Sequence, residues 1–409
     1  MPTNLKLNMH SNLRPDSKSS NTQKLSALLN DLWGEKKPGF VRILDDEANW
    51  GEAKKWAEVI KAKYKNLVVL GIGGSSMGAR ALANYRYDQT VYFLDNIDAS
   101  EVKNVWNQIK NSFDSTGFLI ISKSGESLEI ATLMETLASQ ASAIGKDLFK
   151  NSFIISEAKP SLLSNFAKDK NIPLIPMPQD VGGRFSVLTP VGLVVAGFMG
   201  FDTDQIRAGA RQVLEQKEKL LAIAGELTQA IDYQTDLFVF WSYSSQLRWF
   251  NQWLCQLWAE SLGKTKTLSG HKSPKIPWIV GATGASDQHS IYQHILESEQ
   301  KKYVLITQST ETFSQTGFAK PNLSFFKDKS FTVTEVMSAE RDATAKALKE
   351  YGIPVSEMLF ETYDDQTIGY LFFWFESLTA LVGNYYDINP YDQPAVQLGK
   401  RLALENLNL

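Results

Sequence analysis

Short apolar runs alternate with amphipathic stretches through the first half of the chain. The apolar runs, rich in β-branched and aromatic residues, predict strands at residues 67–70, 91–94, 118–121, 153–156 and 173–177. Between them the spacing is helical: Ile130, Met134, Leu137 and Ala141 recur at i, i+4, i+7 and i+11, which predicts a helix over residues 127–141. Strands that alternate with helices are typical of parallel βαβ units, so a doubly wound α/β domain is predicted here.

A second alternation of the same kind follows a long helical stretch. It predicts strands at residues 237–241, 278–281, 303–307 and 331–334, with helices over residues 246–262, 287–297 and 338–351. The predicted fold class is therefore α/β, with two doubly wound sandwich domains and parallel-rich sheets. We divide the chain into an N-terminal arm (1–45), a first domain (46–200), a second domain (201–390) and a C-terminal helix (391–409). In such folds ligands bind beyond the carboxyl ends of the strands.

The most apolar stretch, residues 368–382, carries Glu376 near its middle. It is shorter than the roughly 20 residues that span a bilayer, and a charge at that depth is unfavourable. We expect a buried helix rather than a membrane span.

Composition narrows the function classes. The chain has 42 Lys and Arg against 45 Asp and Glu, a net charge of −3, which disfavours a nucleic-acid-binding surface. Its one cysteine, Cys255, cannot form an intramolecular disulfide and lies among tryptophans, so we expect a buried, inert thiol in a reducing cytoplasm. The polar N-terminus has no signal-peptide pattern. Four histidines leave little for a metal cluster.

Residues 71–78 form a glycine-rich turn, GIGGSSMG, between a predicted strand and a helix. Glycines let backbone N–H groups approach a phosphate, and the following helix N-terminus favours negative charge. A dinucleotide fingerprint with Asp95 as the ribose acid is an alternative, although Ser76 stands where that pattern has a third glycine or alanine. A purely structural turn is another alternative.

A second turn of this kind covers residues 122–127, SKSGES. Three hydroxyls, the Lys123 ammonium and the helix N–H groups could converge on one phosphate. The alternative is that Ser124 or Ser127 caps the helix while Lys123 points to water. Glu126 disfavours a phosphate unless its side chain turns away.

Further polar residues stand out after residue 180. Arg184 follows two glycines in a third turn, residues 181–187, and could reach a site of negative charge or lie at the surface. A polar row at i, i+4, i+8 and i+12 crosses the predicted aromatic helix. Its members are Arg248, Gln252, Gln256 and Glu260. The row is either a solvated face or a cleft wall in which Glu260 acts as a general base.

The remaining candidates are ambiguous when each is taken alone. His289 near the start of residues 287–297 could cap or pack the helix, and His294 falls on another face, which disfavours a paired metal site. Lys400 in the C-terminal run could be a surface lysine.

Taken in order, six motifs resemble those of the phosphoglucose isomerase family, whose members have two sugar-isomerase (SIS) domains. The motifs are VVLGIGGSSMGARAL, ISKSGESLEIAT, GGRFSVLTPVGL, QLWAESLGK, GASDQHSIYQ and NPYDQPAVQLGKRLA. They start at residue 68 and are spread over most of the chain. Ser124 and Ser127 stand where many members have threonines.

The resemblance implies a role for each matching position. Glu260 matches the base that moves a proton between C1 and C2 of the open-chain sugar, and Arg184 matches the arginine that stabilises the enediolate. His289, contributed by the neighbouring subunit in the family, and Lys400 match the pair that opens the ring. The phosphate cradle and further substrate contacts map to Ser122, Lys123, Ser124, Ser127, Ser75, Gly74, Gln256 and Gln393.

The implied activity is reversible isomerisation of D-glucose 6-phosphate and D-fructose 6-phosphate, in glycolysis and gluconeogenesis, by a cytoplasmic homodimer with shared active sites. Such proton transfer needs a base and an electrophile but no metal and no redox cofactor. Nucleic acid and membrane are not expected partners. The alternatives are an isomerase of another hexose phosphate, such as mannose 6-phosphate, and a non-catalytic SIS sensor of sugar phosphates.

Overall fold

The computed structural model describes residues 5–10, 18–310, 322–326 and 329–408. Its strands are β1 (Leu5–His10), β2 (Asn66–Leu70), β3 (Val91–Leu94), β4 (Thr116–Ile121), β5 (Ser152–Glu157), β6 (Leu174–Met177), β7 (Leu237–Ser242), β8 (Trp278–Thr283), β9 (Lys302–Ser309), β10 (Asn322–Leu323), β11 (Lys329–Ser330) and β12 (Val355–Phe360). Its α-helices are α1 (Lys18–Leu32), α2 (Gly39–Arg42), α3 (Glu47–Lys63), α4 (Met77–Arg86), α5 (Ala99–Ile109), α6 (Leu128–Ala143), α7 (Leu162–Asp169), α8 (Pro190–Phe198), α9 (Thr203–Glu215), α10 (Lys217–Asp232), α11 (Arg248–Leu262), α12 (Tyr292–Glu297), α13 (Val333–Glu350), α14 (Asp365–Tyr385) and α15 (Val396–Asn406).

The first sheet is parallel throughout and has the order β3-β2-β4-β5-β6. All five strands predicted for the first half are present, which confirms the doubly wound arrangement. The chain runs from β2 to β3 on one side and then returns to β4 on the other. The strand order therefore reverses between β2 and β4, and this is where an open α/β sheet leaves a crevice for a ligand.

The second sheet repeats the order of the first four of these strands, and an antiparallel strand takes the place of the fifth. In the order β1-β12-β9-β7-β8, strands β12, β9, β7 and β8 are parallel and β1 is antiparallel to β12. Leu5 pairs with Phe360 and closes that edge. Part of the predicted N-terminal arm is thus a strand of the second sheet, which the sequence analysis missed.

The predicted strand at residues 331–334 is wrong. Thr332 is instead the N-cap of α13: its hydroxyl accepts from the Glu335 N–H at 3.1 Å, and the Glu335 carboxylate accepts from the Thr332 N–H at 2.6 Å. This capping box starts a helix within residues 331–334, although the β-branched residues of this segment favour a strand. The fourth parallel strand is β12, at residues 355–360.

The predicted helix over residues 287–297 is divided. A short 3-10 helix, Ser286–His289, follows β8, and α12 begins only at Tyr292. Between them Ser290 leaves helical geometry, with φ −122° and ψ −59°. His289 is therefore the last residue of the short 3-10 helix and precedes α12.

Both sheets are covered on both faces, as parallel sheets require. Leu67 and Val69 of β2 face a large core that also receives Phe238 and Phe240 of β7. The alternate residues of each strand face a smaller outer core of their own domain. The central core thus lies between the two sheets and joins them through helices such as α8, α11 and α14.

Helix α14 is the buried helix that the apolar stretch predicts. Residues 367–383 are all buried, including Glu376, which is fully inaccessible. Neither carboxylate oxygen of Glu376 has a hydrogen-bond partner among the described residues. Within the same described ranges, no helix has the length and apolar character needed to cross a bilayer.

Candidate active site

Three turns singled out in the sequence meet at the carboxyl edge of the first sheet. Residues 71–76 follow β2 and residues 122–127 follow β4, so both lie at the point where the strand order reverses. The third turn holds the short 3-10 helix Gly183–Phe185 before α8. The parallel topology places these turns around one crevice.

The first and third turns touch through their backbones. A Cβ built on Gly74 would lie 2.2 Å from the carbonyl carbon of Gly183, which no side chain can tolerate. The Ser186 hydroxyl also donates to the Gly74 carbonyl at 3.2 Å. Glycine at position 74 is therefore needed for the close approach that sets the position of the next residue in the third turn, Arg184.

Arg184 is the most heavily engaged residue of the site, and its side chain is 2 % exposed. Its guanidinium donates to five acceptors: Ser261 Oγ at 2.8 Å, Glu260 Oε2 at 3.2 Å, the Pro390 carbonyl at 2.7 Å, the Asp392 carbonyl at 2.9 Å and Gln393 Oε1. Burial lowers the pKa of Arg184, and the Glu260 carboxylate acts in the opposite direction. The surface alternative for this arginine is wrong, because its charge is held in place beneath the crevice.

Glu260 is ion-paired with this arginine and remains partly accessible. Its carboxyl side chain is 33 % exposed, and its second oxygen accepts from Gln256 Nε2 at 3.4 Å. The Gln256 amide in turn lies 3.0 Å from where a Cβ on Gly73 would be. The polar row on α11 thus divides: Arg248 and Gln252 are exposed, whereas Gln256 and Glu260 are half-buried beside the glycine turn.

The second turn gathers hydroxyls at the start of α6. The Ser122 and Ser127 hydroxyls are 3.0 Å apart, and Ser122 also accepts from the Gly125 N–H at 3.2 Å. Ser127 occupies the N-cap position of α6, but its side chain makes no cap hydrogen bond. Ser124 accepts from the Glu126 N–H at 3.3 Å, and both of these side chains are exposed.

Lys123 connects the second turn to the third. Its ammonium donates to the Val181 carbonyl at 2.8 Å and lies 3.6 Å from Glu157 Oε1. The side chain is 32 % exposed, so it does not simply point to water. A half-buried ammonium in the same turn as the Ser122 and Ser127 hydroxyls, at the start of α6, suits a phosphate.

The Leu404 side chain of α15 comes close to this turn. It lines a cavity of about 310 Å³ together with four residues of the turn and apolar side chains of α6 and α7. The turn residues are Ser122, Gly125, Glu126 and Ser127. The helix that carries Lys400 therefore passes beside the second turn.

Asp95, the acid of the dinucleotide alternative, is engaged elsewhere. Arg80 Nε lies 2.9 Å from Asp95 Oδ2, and Arg80 Nη2 donates to Asp95 Oδ1 at 3.0 Å. The Arg80 guanidinium also stacks 4.3 Å from the Trp249 ring centroid. This paired carboxylate explains Asp95 as a structural residue.

The structure does not bring every candidate together. His289 and Lys400 are both exposed, on the turn after β8 and on α15, and within the described ranges neither is hydrogen-bonded or ion-paired with Glu260 or Arg184. Ser75 lies half-buried in the first turn. Sequence reasoning missed Ser261 and the carbonyl groups of Pro390 and Asp392, although all three lie in the quoted motifs.

Metal-binding side chains do not cluster in the part of the chain that the structure describes: it holds no group of three or more His, Cys, Asp or Glu residues that could bind a metal. Burial raises the pKa of the Cys255 thiol, which disfavours a reactive thiolate.

The chain is similar to proteins of one known family over almost its whole length. A family model described as phosphoglucose isomerase matches residues 49–408. A glucose-6-phosphate isomerase of Campylobacter jejuni is 30% identical over 409 aligned residues, which cover 95% of this chain and 97% of that protein. Among solved structures, a hypothetical protein of Thermus thermophilus has a TM-score of 0.85 at 25% identity and covers 98% of this chain and 100% of its own. A glucose-6-phosphate isomerase of Chlamydia trachomatis has a TM-score of 0.79 at 24% identity, with 94% and 78% coverage.

Proposed function

The chain belongs to the phosphoglucose isomerase family, and from that premise we propose that it interconverts D-glucose 6-phosphate and D-fructose 6-phosphate. The observation that carries the proposal is the pair of Glu260 and Arg184, 3.2 Å apart, one accessible and the other buried, at the switch point of the first sheet. An aldose and a ketose that differ at C1 and C2 exchange through an enediol, and this step needs a base and an oxyanion partner.

In this proposal Glu260 takes the proton from one of these carbons and returns it to the other. Arg184 stabilises the negative charge that develops on the sugar oxygen. Four of the five acceptors of the Arg184 guanidinium belong to residues other than Glu260. The guanidinium therefore stays in position when the Glu260 carboxylate gains or loses a proton. Such a fixed charge needs no reorganisation at the moment of reaction.

The second turn is the proposed phosphate site, with Ser122, Lys123, Ser124 and Ser127 as its ligands. A phosphate held there would orient the open chain toward Glu260, which uses remote binding energy to position the reacting carbons. Ser75, Gly74, Gln256 and Gln393 are the proposed contacts to the sugar.

Ring opening is assigned to Lys400 and His289, and for His289 we propose that it comes from a partner subunit in a homodimer. Two observations support a dimer. His289 is exposed, and α15 has no buried residue while Leu398, Leu402 and Leu404 remain 39 to 55% exposed. A second copy would cover this apolar surface. A cytoplasmic location is also proposed, because one unpaired cysteine fits a reducing compartment.

The test is turnover of fructose 6-phosphate by chelator-treated protein, with glucose 6-phosphate formation coupled to an NADP-dependent dehydrogenase. We expect activity in the wild type and a loss of about 100- to 10,000-fold in kcat for Glu260→Gln, the range for a general base. Gln252→Ala, in the exposed part of the same row, should retain wild-type kcat. Binding of fructose 6-phosphate without turnover in the wild type would indicate a sensor, and faster turnover of mannose 6-phosphate would indicate another isomerase.

A further inference from the structure

A second cation, Lys264, lies close behind the candidate base. It follows Gly263, the C-cap residue of α11, and its side chain is only 13% exposed. Its ammonium has three acceptors: the Glu260 carbonyl at 2.8 Å, the Asp392 carbonyl at 2.6 Å and Asp392 Oδ1 at 3.2 Å. These match the three N–H bonds that an ammonium group can donate.

The first contact fixes the backbone from which the base projects. The last carbonyl groups of a helix have no partner within the helix, and a lysine near the C-terminus can satisfy one of them. Here the satisfied carbonyl belongs to Glu260 itself. Capping of α11 explains this contact but does not explain the two contacts to Asp392, which lies 128 residues along the chain.

The contacts to Asp392 close a ring around the site. The Asp392 carbonyl accepts from Lys264 and also from Arg184 at 2.9 Å, and Arg184 contacts the Glu260 carboxylate. Gln393, the next residue, contacts the same guanidinium. Lys264 therefore ties the end of α11 to the segment that leads from Gln393 into α15.

Burial alone would make a poor site for a lysine. Desolvation lowers the pKa of Lys264, while the hydrogen bond and charge of Asp392 oppose this effect. A half-buried ammonium is kept only where its acceptors offset the lost hydration. At Lys264 the three acceptors compensate for the hydration that the ammonium group loses on burial.

We propose that Lys264 is a positioning residue for the isomerisation: it sets the distance between the Glu260 backbone and the Asp392–Gln393 segment. That distance in turn fixes where the Glu260 carboxylate and α15 lie relative to Arg184. This inference rests on the proposed function. The ammonium does not touch the reacting carbons in this scheme, and its effect is on geometry. An error of about 1 Å in such a geometry can lower a rate by about 100-fold.

The experiment compares kcat, KM and the thermal unfolding midpoint in Lys264→Met, Lys264→Arg and the control Lys266→Met, an exposed lysine in the following loop. Lys264→Met keeps the apolar stem and removes the charge and the donors. We expect kcat to fall about 10- to 100-fold with a much smaller change in KM. Arginine should recover part of this loss, because its planar fork reaches the same acceptors with a different geometry. The control should keep wild-type kcat.

A lower unfolding midpoint with wild-type kcat in Lys264→Met would overturn the proposal and leave Lys264 as a helix cap. If that variant does not fold, Lys264→Arg supplies the test, because it keeps the charge but cannot hold all three acceptors at their present distances. A reduced kcat in folded Lys264→Arg supports the positioning role, and an unchanged kcat contradicts it. An inactive wild type would contradict the proposed function and the positioning role together, whereas an active wild type with unchanged variants contradicts only the latter.

Discussion

At the scale of single residues, the site depends on how tightly Arg184 is fixed. Its side chain reaches two segments that are distant in sequence, residues 260–261 and 390–393. The backbone that carries it is pressed against Gly74 of the first turn. A guanidinium that is already fixed in place can stabilise a developing oxyanion, because it does not have to reorient during the reaction.

Gly74→Ala tests this dependence. The added methyl would meet the Gly183 carbonyl, so the two turns must separate and Arg184 must shift. We expect kcat to fall by about 100-fold, together with a loss of stability of about 1–3 kcal/mol. Steady-state kinetics and thermal unfolding measure the two effects.

Gly51→Ala is the matched control, since a Cβ on Gly51 in α3 meets no atom within 4 Å. It should leave kcat unchanged and stabilise the protein by up to about 1 kcal/mol through helix propensity. Wild-type kinetics in Gly74→Ala would show that contact between the turns does not position Arg184.

At the scale of elements, α14 contains a polar group that the proposed reaction does not use. Glu376 is fully buried, and its carboxylate oxygens have no hydrogen-bond partner among the described residues. Desolvation raises the pKa of Glu376 well above its ordinary value of 4.5. The carboxyl group is thus neutral in the folded protein over a pH range in which it is ionised in the unfolded chain.

This shift has a defined consequence for stability. Above pH 4.5 the unfolded chain releases the Glu376 proton while the folded protein keeps it, so stability falls as the pH rises, by about 1.4 kcal/mol per pH unit until the folded pKa is reached. In Glu376→Gln this slope is absent. We expect the variant to unfold at a higher temperature than the wild type at pH 8, with the difference shrinking toward pH 4.5.

Thermal unfolding at several pH values measures the difference, and Glu58→Gln, at an exposed position of α3, is the control. A constant difference between Glu376→Gln and the wild type at all pH values would mean that Glu376 is ionised in the folded protein.

At the scale of the whole molecule, His289 makes no contact with Glu260 or Arg184 within the described residues. The turns around Glu260 and Arg184 come together within the chain, whereas His289 lies exposed on the turn after β8. The exposed apolar residues of α15 add a surface that a second copy could cover. A dimer with shared sites accounts for both features.

Mixing inactive variants tests this assignment. His289→Ala and Glu260→Gln homodimers should each lack activity, because every site in them has one defect. If each site takes its histidine from the other subunit, a mixed dimer has one site in which both residues are intact. Its second site carries both substitutions. We therefore expect partial activity after the two variants are unfolded together and refolded. No recovery, with mixed dimers detected by a tag on one variant, would place His289 in its own subunit's site or outside both sites.

The sequence by itself determined the order of the strands from β2 to β9, since period-two and helical spacing reflect which residues are buried. It also gave the three turns and the row that ends at Glu260. It did not place the start of α13, where a capping box decides between helix and strand. It also missed β1, whose edge position follows from pairing with a segment about 350 residues away.

Only the tertiary structure decided which candidates lie close together. Five acceptors from distant segments converge on Arg184, and Lys264 reaches Asp392 across 128 residues. From the sequence alone Asp95 is a candidate ligand for the ribose of a dinucleotide, but in the structure its carboxylate is ion-paired with Arg80. The physical reason is that local patterns report burial and backbone preference, whereas hydrogen bonds between segments depend on how the sheets and helices pack, and that packing is a property of the whole chain.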